Sequence, residues 1–121
     1  QAAESGHMLS LFWNDVSYLV AEKEVDDKYI RATADGYLYI WLQGLYEKWA
    51  LHYRKKTGRE PFDLPSIQKY LREEPCCIDS HATKRFKNGT KKAWVIKLEG
   101  APEIIGEIAE AVGISENQDE V

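Results

Sequence analysis

The chain has 121 residues, is 44% hydrophobic and 30% charged, and carries a formal net charge of −4; that suits one small domain with a modest core, and a second independent domain is not expected. No run approaches the roughly 18 apolar residues of a membrane span, and no basic-then-apolar leader opens the chain, so a cytoplasmic protein without a membrane partner is expected. Cys76 and Cys77 are adjacent, which fits neither an ordinary disulfide nor paired zinc-ligand spacing and points to a reducing compartment.

The first eight residues, QAAESGHM, read as a tag and cloning remnant, leaving a single domain over 9–113. Leu9, Phe12, Trp13, Val16, Leu19 and Val20 recur at helical spacing and predict a helix over 9–24. Leu11 and Tyr18 fall on its outer side, either as scattered surface apolars or as a contact with a missing parent or a second copy. Residues 29–33 and 37–41 are β-branched and aromatic around Asp35-Gly36 and predict a short hairpin. Leu42, Leu45, Tyr46, Trp49 and Tyr53 form the stripe of a second helix, closed by Lys55, Lys56 and Gly58.

Asp63-Leu64-Pro65 opens a third helix of about ten residues, with Leu64, Ile67, Tyr70 and Leu71 inward and Pro75 as its stop. Residues 76–86 and 90–99 flank Asn88-Gly89, the strongest short-range hairpin signal in a sequence. Pro102 starts a last helix with Ile104, Ile105, Ile108 and Val112 on one stripe, and the acidic tail 114–121 is expected to be disordered. The order helix, small hairpin, helix, helix, long hairpin, helix predicts an α+β fold. Specifically, it matches a winged helix-turn-helix with an N-terminal helix, a small hairpin, a long basic wing and an extra C-terminal helix.

Charge is unevenly spread. Residues 1–53 hold four Lys/Arg against eight Asp/Glu (−4), 54–97 hold twelve against five (+7), and 98–121 hold none against seven (−7). A basic middle between acidic ends is the footprint of a polyanion partner, and DNA is the partner expected. The wing supplies Lys84, Arg85, Lys87, Lys91 and Lys92; the end of the second helix and the joint after it supply Arg54, Lys55, Lys56 and Arg59; the outer face of the third helix supplies Ser66, Gln68, Lys69 and Arg72. The first two groups also have a plainer reading. Lysines guard hairpin edges against aggregation, and cations at a helix C-terminus answer its dipole.

A two-residue Asn88-Gly89 loop would set Lys87 opposite Thr90, Phe86 opposite Lys91, Arg85 opposite Lys92 and Lys84 opposite Ala93, with Trp94, Ile96 and Leu98 packing on the helices. Arg85 facing Lys92 is then a like-charge pair whose repulsion a phosphate between them would reverse. Glu73 and Glu74 beside the third helix argue for backbone binding with weak sequence preference over base-specific reading.

The stretches YLYIWLQGLYEKWALHYRKKTG and DLPSIQKYLREEP, followed by a hairpin ending in KKAWVIKL, resemble the C-terminal winged-helix domains of replicative helicases and helicase-primases of mobile elements, meaning phage, plasmid and cassette-chromosome proteins. The resemblance covers residues 29–99. It implies a non-catalytic DNA-binding domain of a replication protein whose AAA+ motor lies elsewhere, with the wing and third-helix residues above as its DNA contacts. The alternative is a winged helix used for protein interaction, docking on the parent motor or on a second copy.

No P-loop, dinucleotide-binding glycine motif or H-E-x-x-H occurs, so no enzyme activity, cofactor or metal is expected of this chain. Asp79-Ser80-His81 contains triad residue types, but on a regular strand Ser80 points away from its neighbours. His52, His81, Cys76 and Cys77 lack metal-ligand spacing. Asn88-Gly89-Thr90 matches a glycosylation acceptor and reads as a turn.

Overall fold

Apolar side chains at i, i+3 and i+4 have to leave water, and in this chain they do so by laying four helices against one antiparallel sheet. The computed structural model describes residues 2–87 and 89–113, so the expected disordered tail, 114–121, and Asn88 lie outside the described residues. In chain order the elements are α1 (Ala2–Ala21), β1 (Ile30–Ala32), β2 (Tyr37–Ile40), α2 (Leu42–Thr57), α3 (Leu64–Arg72), β3 (Cys77–Phe86), β4 (Gly89–Lys97) and α4 (Glu103–Val112). The strands pair in the order β1-β2-β4-β3, all antiparallel. The order of elements is the expected one, and the fold is α+β.

Local chemistry explains the ends. Lys23, with φ 65°, closes α1, and the Glu24 N–H reaches back to the Leu19 carbonyl; the helix therefore stops short of the expected residue 24. Its start lies at Ala2, ahead of the expected residue 9, and Met8 packs on the core. Gly58 takes the left-handed conformation after α2, donating its N–H to Arg54 O. At α3 the Asp63 carboxylate accepts from the Ser66 N–H at 3.3 Å, and Pro65 sits in the first turn, where a missing N–H costs nothing.

The main core lies between the helices and one face of the sheet. Phe12, Val16, Trp49, Leu45, Ile67 and Leu71 from the helices meet Ile30, Leu38, Ile40, Trp94 and Ile96 from the strands, while Ile105 and Ile108 bring in α4. At its centre the fully buried Trp49 ring is ringed by Phe12, Tyr46, Tyr53 and Phe62 at 5.2 to 5.8 Å.

A second, smaller core occupies the other face of the sheet: Tyr39, Phe86, Ala93 and Val95 are buried there, edged by Tyr37, Trp41 and Ala82. The long hairpin supplies Phe86, Ala93 and Val95 to this face. Its tip is tied to the segment before β1 by the Lys87 N–H, which donates to Asp27 O at 3.2 Å, and Arg31 donates a hydrogen bond to Arg85 O. Arg31, itself buried, lies 5.2 Å from the Tyr39 ring centroid.

The hairpin register differs from the expected one. Phe86 faces Gly89, Arg85 faces Thr90, Lys84 faces Lys91 and Thr83 faces Lys92, so the turn does not centre on Asn88-Gly89. Two forces outweigh the local Asn-Gly preference: β3 carries irregularities between Cys77 and Asp79 and between Asp79 and Ala82 that offset its pairing, and the tip is anchored to Asp27 and Arg31. Arg85 and Lys92 become diagonal neighbours, and Lys84 and Lys91 become the directly opposed like-charge pair.

Candidate nucleic-acid interface

Alternation along a strand sends neighbouring side chains to opposite faces, so the basic residues of the hairpin divide into two sets. Arg85 and Lys92 share the helix side with Trp94 and Ile96; Lys84 and Lys91 share the other side with Phe86, Ala93 and Val95. The expected single basic wing is therefore two-sided.

On the helix side, α3 and the hairpin meet. The Arg72 guanidinium lies 5.4 Å from the Trp94 ring centroid, a cation–π contact that joins the end of α3 to β4. Arg72, Arg85 and Lys92 are all exposed, and Lys92 stands two residues beyond Trp94 on the same face. Lys69 is exposed on α3 with its ammonium 5.7 Å from the Tyr70 ring, while Ser66 and Gln68 are half-buried.

The cluster at the end of α2 is partly committed elsewhere. Lys56 donates to Asp15 Oδ1 of α1 at 2.7 Å, and the same buried carboxylate accepts from Trp49 Nε1 at 3.1 Å. His52 Nε2 stands 3.8 Å from it. Lys56, expected to meet DNA, thus ties α2 to α1. Arg54 reaches Glu60 at 3.5 Å, while Lys55 and Arg59 are exposed. The Tyr46 hydroxyl donates to Phe62 O at 2.7 Å and fixes the connection that leads into α3. Burial pushes the Tyr46 hydroxyl above its ordinary value, against a smaller opposite pull from Arg54.

On the far side of the sheet each lysine of the opposed pair has an aromatic ring beneath it: Lys84 Nζ is 4.6 Å from the Tyr39 centroid and Lys91 Nζ is 4.4 Å from that of Trp41. These aromatic partners were not among the residues expected from sequence to matter for binding. Their signal is the period-two spacing of Tyr37, Tyr39 and Trp41. Asp15 has a signal of the same kind, an acid inside the apolar stripe of α1.

The irregularity in β3 changes the Ser80 geometry. Ser80 Oγ lies 3.0 Å from His81 Nδ1 instead of pointing away, while the Asp79 carboxylate accepts from the backbone N–H of His81 at 2.9 Å and is not positioned on the imidazole. The pair therefore lacks the acid that would orient the ring. Cys76 and Cys77 are free thiols, both held above the usual thiol range chiefly by burial. Among the described residues no cluster of three His, Cys, Asp or Glu stands ready for a metal ion, and no helix is long and apolar enough to cross a membrane.

The acidic α4 packs on α1 and β1, with Glu103, Glu107 and Glu110 exposed. Comparisons with protein-family models, with curated proteins and with solved structures find no match for this chain.

Proposed function

We propose that the chain is a non-catalytic DNA-binding winged-helix domain of the kind that accompanies the motor of mobile-element replicative helicases. In this reading α2 and α3 are the helix-turn-helix, β3 and β4 are the wing, and β2 is the strand on which the wing is built. The observation that carries it is the Arg72–Trp94 contact, which joins the exposed face of α3 to the hairpin surface where Arg85 and Lys92 stand. Three exposed cations on one surface, with no acidic partner at ion-pair distance among the described residues, suit phosphates of a duplex backbone. Lys55 and Arg59 extend the same positive potential; Lys56 serves the fold. Glu73 and Glu74 flank α3 and keep the contact with DNA on the backbone, with little reading of bases.

The test is fluorescence anisotropy with a labelled duplex at about 50 and 200 mM salt. Binding that weakens steeply with salt, and fails in Arg85→Glu/Lys92→Glu, supports the reading; absence of binding at the lower salt overturns it.

A second reading has one observation of its own. Tyr18 and Leu51, each 53% exposed, line a groove between α1 and α2 rimmed by Glu22, Glu24, Lys48 and Lys55. A protein-interaction module would use that groove, and Leu51→Lys would then abolish self-association or docking on a motor while leaving duplex binding intact.

A further inference from the structure

Lys84 and Lys91 stand directly opposite one another across the β3–β4 pair, on the face of the sheet whose core, among the described residues, takes no side chain from a helix. Like charges at opposed positions repel, and among the described residues neither lysine has a carboxylate partner within ion-pair distance. Each instead rests its ammonium on a ring, Tyr39 for Lys84 and Trp41 for Lys91. A cation–π contact holds the charge in place but leaves its hydrogen-bond donors unused.

Lys84 lines an open cavity of about 300 Å³ whose aromatic and aliphatic walls are Tyr37, Tyr39, Ala82 and Val95, while Lys91 lies across the strand pair from it. Ile78, 53% exposed, and Asp79, whose carboxylate already accepts from the His81 N–H, also line it. Two ammoniums that lack an anion, next to aromatic side chains and an apolar hollow, have the composition that recognises single-stranded nucleic acid: phosphates on the cations and an unpaired base against the rings. A duplex, whose bases are stacked inside it, has no use for such a hollow.

Resting on the DNA-binding reading above, we infer that the face of the hairpin carrying Lys84, Lys91, Tyr37 and Trp41 is a second nucleic-acid site that takes a single strand, back to back with the duplex surface of Arg72, Arg85 and Lys92. The hairpin then stands between duplex on one side and a separated strand on the other. It sits where a junction between single and double strand would place its two parts. Binding moves the lysines from ring to phosphate, and the ring of Trp41 is freed for a base.

The experiment compares labelled single-stranded, duplex and forked DNA by anisotropy, for the wild type, Lys84→Met/Lys91→Met and Arg85→Met/Lys92→Met. Methionine keeps the apolar stem over each ring and removes the charge, and thermal melts confirm that each variant is folded. The expected result is that Lys84→Met/Lys91→Met loses about tenfold on the single strand and on the fork, keeps duplex affinity within about twofold, and lowers the single-strand salt slope by about 1.4, the value for two phosphate contacts. Lys84→Arg/Lys91→Arg restores the affinity, and Arg85→Met/Lys92→Met has the reverse preference, losing the duplex. Single-strand affinity unchanged in Lys84→Met/Lys91→Met, or single-strand and duplex affinity falling together, overturns the second site while the duplex reading stands. Wild type that binds the single strand through Lys84 and Lys91 but no duplex overturns the duplex reading alone, and wild type that binds neither overturns both.

Discussion

The indole of Trp41 packs against the bare Cα of Gly44 in the first turn of α2: a Cβ there would stand 2.5 Å from Cε3 and Cζ3 of the ring. The ring is not free to retreat. Tyr29 stacks on it at 5.6 Å with an interplanar angle of 8°, and Lys91 holds its ammonium over it. Gly44→Ala gains at most about 1 kcal/mol of helix propensity and incurs an overpacking cost of about 1–3 kcal/mol. The expected net effect is a loss of roughly 1 kcal/mol in urea unfolding. Gly106 in α4 is the control, since a Cβ there meets nothing within 4 Å; Gly106→Ala is expected to stabilise by about 0.5–1 kcal/mol. Equal effects of the two substitutions would contradict the packing of Trp41.

Asp15 is 5% exposed and shares its carboxylate between the Trp49 indole and the Lys56 ammonium. A buried carboxylate must keep such partners, and hydrogen bonds to charged groups contribute about 1.5–3 kcal/mol. Asp15→Asn is expected to lose about that much stability. Lys56→Gln loses less, about 1 kcal/mol, because the lysine side chain is 54% exposed and water replaces part of the bond. A double-mutant cycle by urea unfolding should give a coupling of roughly 1 kcal/mol; a coupling near zero would show that Lys56 does not hold α1 to α2.

The Tyr46 hydroxyl donates to Phe62 O, and burial raises its pKa above the ordinary 10.0. The folded protein therefore holds this proton more tightly than the unfolded chain does. Its contribution to stability is complete below about pH 10 and declines as pH rises through the folded value. Tyr46→Phe is expected to cost about 1 kcal/mol at neutral pH and to flatten the alkaline part of the stability profile. Chemical unfolding at pH 7, 9.5 and 11 measures it, and parallel profiles for the two proteins would count against the buried hydroxyl.

The helices were legible because their apolar positions repeat at i, i+3 and i+4: the stripe from Leu9 to Val20 is buried throughout, and Ile67, Leu71, Ile105 and Ile108 face inward as their spacing requires. Turn chemistry gave Gly58 and Asp63 their places. What the sequence hides is set by contacts between distant residues. The hairpin register depends on Asp27 and Arg31, more than fifty positions before the turn they anchor, and an Asn-Gly rule has no access to them. The commitment of Lys56 depends on Asp15 in another helix, 41 residues away. A strand's alternation shows that Lys84 and Arg85 part company, but that the lysine side is aromatic follows only from the pairing of β2 with β4, which brings Tyr39 and Trp41 beside it.

These distant contacts give the duplex reading a sharp test among similar-looking cations. A lysine or arginine that neutralises one phosphate contributes about 0.9 to the slope of log affinity against log salt on B-form DNA, and losing it lowers the slope by about that amount. Arg85→Gln and Lys92→Gln, exposed and on the α3 side of the hairpin, are each expected to lower the duplex slope by about 1. Lys55→Gln, exposed at the end of α2, lowers it by up to the same amount. Lys56→Gln should leave the slope almost unchanged, because its ammonium answers Asp15 and not a phosphate. The measurement is duplex anisotropy across a salt series below each variant's melting temperature. If Lys56→Gln flattens the slope as much as Arg85→Gln does, the cations act as a diffuse positive field and the division of labour drawn from the structure fails.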